Sequence, residues 1–265
     1  MGEGHIALEH KVAMRGEIRI AYTAAGKGTP ILLIPSLGRG AEDFSRIVPV
    51  IVDAGFRVLS PEPRGIGGST PLADGNTLHD MAADAAAVIE QEGGARVVAA
   101  GHAAGNWVVR VLAHDRPDLV QAVVMMAAVV STEPDPDMRR SITASFDVAL
   151  SEPERLTHLR HAYFADGADA RIWLSGWHPP VAKAQRAAAA ATRDRGWLRA
   201  ADRFPLLYIG AAEDRISPPP ALDELRSAIG PKAELVVIEH AGHALLPEQP
   251  LATADALISW TRRLP

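Results

Sequence analysis

Short β-rich apolar runs alternate with helix-length stretches along most of this chain, and few folds accommodate that order. Residues 30–34 (PILLI), 56–59 (FRVL), 96–100 (RVVAA), 122–126 (AVVMM), 206–209 (LLYI) and 235–238 (LVVI) are runs of this kind, most of them near glycine or proline. Such segments suit strands buried on both faces of a parallel sheet. Residues 17–23 (EIRIAYT) alternate with period two and read as an early antiparallel strand. Helices are expected over 42–53, 77–92, 104–116, 221–229 and 247–263, with start signals at Thr77 and at Pro218-Pro219-Pro220. A βαβα order implies an α/β fold with a mostly parallel sheet and helices on both faces.

The alternation breaks between residues 131 and 203, where helical pieces at 138–150, 152–164 and 181–192 follow one another without a convincing strand. The expected organisation is a core domain of residues 1–130 and 204–265 interrupted by a helical cap of residues 131–203. Such a cap lies over the carboxyl ends of the strands, where open α/β sheets bind ligands. Trp173, Trp177 and Trp197 fall within it, either lining a pocket or packing the cap onto the core.

Composition narrows the partners. A formal charge of −5 with no Lys/Arg cluster gives no footprint for nucleic acid or an anionic membrane. The absence of cysteine removes disulfides, thiolate nucleophiles and Cys-ligated zinc. The apolar runs are too short to span a bilayer, and Met1-Gly2-Glu3-Gly4-His5 has neither the basic nor the apolar region of a secretory signal. A cytoplasmic protein is expected, and no feature sets an oligomeric state. His240 and His243 form H-x-x-H without a third ligand, so no metal is expected. Gly38-Arg39-Gly40 and Gly65-Ile66-Gly67 lack the third glycine of a dinucleotide loop, with Asp43 and Thr70 in its place, so no cofactor is expected.

Gly101-His102-Ala103-Ala104-Gly105 follows the run 96–100 directly and leads into a helix. A strand, a sharp turn and a helix form the setting of a nucleophile elbow, whose central residue stands above the sheet. That residue is serine in G-x-S-x-G enzymes and is Ala103 here, with no atom able to attack or be acylated. Two later loops strengthen the reading: Asp214 follows the run 206–209, and His243 follows the run 235–238. An acid there would hold the histidine in one tautomer and stabilise its cationic form.

In that chain order the sequence resembles the α/β-hydrolase superfamily, and is similar to lid-bearing bacterial esterases, lactonases and C–C bond hydrolases. The resemblance implies an α/β-hydrolase fold with a helical cap after the sixth strand. It implies Ala103 at the nucleophile position, Asp214 and His243 as its partners, and the Leu37 and Ala104 amides as oxyanion donors. Pro35-Ser36 replaces the family's His-Gly before Leu37, and residues 61–69 match its D-x-R-G-x-G-x-S turn with Glu62 for Asp. His102 is expected to be a packed structural residue pointing down beside its strand. Ser36, Phe146, Trp173, Trp177 and His178 are the candidate substrate contacts, pointing to a small apolar substrate such as a medium-sized ester or lactone.

Ala103 admits three readings. A hydrolase that has lost its serine, by engineering or naturally, loses about a million-fold in kcat and is nearly inactive in acyl-enzyme chemistry. A native alanine leaves His243 and Asp214 as a general-base pair without a covalent intermediate, as in a lyase, an isomerase or a cofactor-free oxygenase. A non-catalytic protein binds a small ligand under the cap.

Overall fold

The computed structural model describes residues 7–130 and 134–265. The start of the expected cap at 131–133, and the segment 1–5 weighed as a signal, lie outside the described residues. The chain runs β1 (Glu9–Arg15), β2 (Ile18–Gly26), β3 (Pro30–Ile34), α1 (Val48–Asp53), β4 (Arg57–Pro61), α2 (Leu78–Gln91), β5 (Val97–His102), α3 (Gly105–Asp115) and β6 (Val120–Met126). The helices α4 (Pro136–Ser145), α5 (Glu152–Ala162) and α6 (Pro179–Ala191) follow as an insertion. The chain then returns through β7 (Leu206–Ala211), α7 (Leu222–Ile229), β8 (Ala233–Ile238), α8 (Leu245–Glu248) and α9 (Pro250–Thr261).

The eight strands form one sheet in the order β1-β2-β4-β3-β5-β6-β7-β8, antiparallel at the two β2 pairings and parallel elsewhere. Alternate side chains of the central strands enter cores on opposite faces. One face packs against α2, α3 and α7, the other against α1 and α9. The insertion has its own core around Leu159, Tyr163, Phe164 and Trp173, which takes in Ile216 and Ala244 from the loops after β7 and β8. Each fully buried side chain of the size of Leu159 contributes about 1.5–3 kcal/mol.

Prolines set the helix boundaries that the apolar pattern misses. The expected helix over 42–53 divides into a 3-10 turn at Ala41–Phe44 and α1, which carries Pro49 in its first turn. The expected helix over 247–263 divides into α8 and α9 at Pro250. Strand β1 escapes the pattern because it is an edge strand with only Ala13 buried. Strand β8 corrects the expectation of burial on both faces: it is the opposite edge, with Val236 and Val237 at 37% and 38% exposure.

The sheet order reverses at β3, since β4 lies on one side of it and β5 on the other. The loops after β3 and β5 therefore diverge from neighbouring strand ends, and the crevice between them is where an open α/β sheet binds ligands. Ile34 of β3 pairs in register with Gly101 of β5, which brings Leu37 and Ala104 to the two lips of that crevice.

Candidate active site

The elbow is built by two close approaches. A side-chain carbon on Gly101 would meet the Gly105 carbonyl carbon at 2.4 Å, and one on Gly105 would meet the Ile34 carbonyl oxygen at 2.3 Å. Between them Ala103 takes a left-handed backbone with φ +45°, held by its amide donating to the Met126 carbonyl at 2.8 Å. An alanine held there costs of order 1–2 kcal/mol. Its side chain is a methyl, at the position expected from the sequence to carry a nucleophile.

Asp214 and His243 meet above the carboxyl ends of β7 and β8. His243 Nδ1 lies 2.9 Å from Asp214 Oδ2, and both residues are buried. Asp214 Oδ1 accepts from the Ile216 and Ser217 amides at 2.8 Å each, and Oδ2 also accepts from the Ser217 hydroxyl at 2.7 Å. Burial pushes the Asp214 carboxyl up, but the facing His243 and these hydrogen bonds together hold it below the ordinary aspartate value. An ionised Asp214 keeps the histidine proton on Nδ1 and leaves the Nε2 lone pair available. Nε2 has no hydrogen-bond partner among the described residues.

His102 is buried, as expected of a packed structural residue, with its ring 5.6 Å from that of His243 and 6.2 Å from that of Trp173 and its Nε2 2.9 Å from the His243 carbonyl oxygen. At the end of β5 the imidazole is thereby bonded to the backbone of the histidine loop. Glu248 holds that loop from outside, accepting from the Gly242 amide at 2.9 Å and the Ala165 amide at 2.8 Å. The loop is also tied to the insertion by the Ala244 amide, which donates to the Tyr163 carbonyl at 2.8 Å.

The Leu37 and Ala104 amides have no hydrogen-bond partner among the described residues. The insertion holds the loop that carries Leu37. The Gly38 amide donates to Gln185 Oε1 at 2.8 Å, and the His178 amide donates to the Gly38 carbonyl at 2.9 Å. Arg39, 3% exposed, lies between Trp173 and Trp177 at 4.9 and 4.7 Å from their ring centroids, and pairs with Asp43. Glu62 has an architectural role here, with its Oε2 accepting from the Ala41 amide at 3.0 Å.

A cavity of about 600 Å³ opens between these loops and the insertion. Ser36, Leu37, Ala103, Ala104, His243, Phe146 and Trp177 line it, so the structure brings most of the expected residues together. Asp214 stands behind His243. Trp173 and His178 do not line the cavity. Trp173 is 2% exposed and packs edge-on against Tyr163 and Phe164, while His178 precedes the first turn of α6 and spends its backbone on Gly38 and Ala182. Tyr163, Arg139 and Arg186 line the cavity without having been singled out by sequence, and Asn106 lines it as well. Among the described residues no group of three or more His, Cys, Asp or Glu is placed to hold a metal ion, and no helix is long and apolar enough to cross a membrane.

Comparison with known proteins agrees with this architecture. The chain is 27% identical over 258 residues to a Mycobacterium tuberculosis protein named "Putative non-heme bromoperoxidase BpoC", covering 92% of this chain and 97% of that one. The BpoC crystal structure superposes with a TM-score of 0.77 at 26% identity, covering 97% of this chain and all of that one. A thermophilic esterase from Thermogutta terrifontis shares the fold with a TM-score of 0.76 at 23% identity, over 97% and 99% of the two chains. A soluble epoxide hydrolase from Corynebacterium is 28% identical over 119 residues, 45% of this chain and 41% of that enzyme. A family model described as alpha/beta hydrolase fold matches residues 29–250, and with the sheet order and the site geometry this places the chain in the alpha/beta hydrolase fold family.

Proposed function

We propose that this chain hydrolyses a small ester or lactone by general-base catalysis, without an acyl-enzyme intermediate, under a cap formed by α4–α6. The observation that carries this reading is the buried Asp214–His243 pair beside a cavity of about 600 Å³ that has only the Ala103 methyl at the nucleophile position. His243 Nε2 takes a proton from a bound water as that water's oxygen bonds to the carbonyl carbon. The carbonyl oxygen becomes an oxyanion facing the Leu37 and Ala104 amides. Collapse of the tetrahedral species expels the alkoxide, which takes the proton back from His243. General-base assistance is worth about 10²–10⁴-fold and an oxyanion donor about 10²–10³-fold, so a slow but measurable enzyme is expected.

The left-handed backbone at Ala103 favours a second reading, in which the parent activity used a serine at this position. One experiment separates the two. Turnover of activated esters and lactones is measured in the chain as given, in His243→Ala and in Ala103→Ser. General-base hydrolysis predicts burst-free turnover that falls at least about 10²-fold in His243→Ala. Turnover equal in the two sinks it. A burst and a gain of several orders in Ala103→Ser, with no His243-dependent activity beforehand, establishes the second reading. Silence in all three leaves a ligand-binding protein.

A further inference from the structure

The cavity carries a charge that its expected apolar character does not account for. Among the described residues Arg139 and Arg186 both line it and no Asp or Glu does, in a chain whose formal charge is −5. Arg139 donates to the Pro134 carbonyl at 2.5 Å. Arg186, exposed on α6, makes no hydrogen bond or ion pair among the described residues, and its guanidinium carbon lies 5.3 Å from the Phe146 ring centroid. A guanidinium resting on an aromatic ring is fixed in position while its N–H groups stay available for a planar, bidentate acceptor.

From Arg186 an aromatic wall leads to the imidazole. Phe146 meets Trp177 at 4.4 Å between centroids, Trp177 meets Tyr163 at 5.6 Å, and Tyr163 meets His243 at 5.8 Å. The Tyr163 hydroxyl has no hydrogen-bond partner among the described residues. Burial raises its phenol far above the ordinary value, so it stays a neutral donor beside the cavity.

We propose that the substrate is a carboxylate, its anionic end held by Arg186 and its apolar body lying along Phe146, Trp177 and Tyr163 toward His243. The pairing of one guanidinium with one planar acceptor fits a carboxylate better than a dianionic phosphate. Arg186 is thereby a specificity-determining residue. The orientation of the reacting carbonyl rests on the hydrolytic reading above, whereas recognition of the anion does not.

The test is therefore one of binding. Affinities are measured calorimetrically for ω-phenylalkanoates from phenylacetate to 5-phenylpentanoate, each against its primary amide and the matched phosphate monoester. The chain as given, Arg186→Met, Arg186→Lys and His243→Ala are compared at low salt. The expected result is a carboxylate that binds about tenfold or more tighter than its amide. That preference disappears in Arg186→Met while the affinity for the amide stays, and survives in part in Arg186→Lys. The proposal is overturned if no acid binds tighter than its amide, if Arg186→Met keeps the preference, or if the phosphate monoester binds tightest. An intact carboxylate preference alongside turnover that ignores His243 sinks the hydrolytic reading alone.

Discussion

His102 donates its Nε2–H to the carbonyl oxygen of His243 at 2.9 Å, so the second residue of the elbow supports the backbone of the histidine that pairs with Asp214. Its other ring nitrogen is buried without a partner among the described residues. Burial first, and then the nearby His243, hold its pKa down to about 3.

That burial has a pH signature. His102 is neutral in the folded chain and titrates near 6.5 once unfolded, so its contribution is fully present above about pH 6.5 and is lost as pH falls toward 3, by up to about 1.4 kcal/mol per unit. Urea unfolding should show a loss of about 2 kcal/mol between pH 6.5 and pH 5 that His102→Gln lacks. Parallel pH profiles for the two proteins would show that His102 is not the titrating group.

Asp214→Asn keeps the shape of the pair and removes the charge that selects the Nδ1–H tautomer. His243-dependent turnover should fall about 10²-fold, and no further than in His243→Ala, with the circular dichroism spectrum unchanged. A loss below about tenfold would mean that Asp214 serves the loop rather than the imidazole.

Arg39 and Asp43 form a buried ion pair, with side chains 4% and 2% exposed. Arg39→Met strands the carboxylate and removes the cation between Trp173 and Trp177, at an expected cost of about 3–5 kcal/mol. Arg39→Met with Asp43→Asn should recover more than half of that loss. A double variant as unstable as the single one would place the energy in the tryptophan contacts.

Arg110 is the reverse case. It is buried, stacks 4.8 Å from the Trp197 ring centroid, and has no acidic partner among the described residues. Burial alone lowers its pKa to about 9. Arg110→Met replaces a desolvated cation by a side chain of similar length, so stability should stay within about 1 kcal/mol or rise, as thermal unfolding would show. A loss above about 3 kcal/mol would show that the bond from Arg110 to the Leu198 carbonyl matters more than the buried charge.

Ala103, Asp214 and His243 are legible in the sequence because each lies just beyond a short apolar strand, and strand ends fix positions in space. The residues that brace them are not. Glu248 reaches back to Ala165, Arg39 reaches Ser175 and His102 reaches His243, and no spacing rule links such distant segments. Trp173 and Trp177 lie four residues apart, yet only Trp177 lines the cavity. Their chemistry is readable from the sequence, but the face each presents depends on how the insertion docks. Strand β1 stays hidden for a simpler reason, since an edge strand with one buried residue leaves almost no apolar pattern.

The left-handed turn at Ala103 also has a genetic reading. A single base change converts an alanine codon to a serine codon, and the backbone that a nucleophile needs is already in place. In a library of random point variants Ala103→Ser is therefore an immediate neighbour of this sequence. Growth selection on an ester as sole carbon source should return that one codon first.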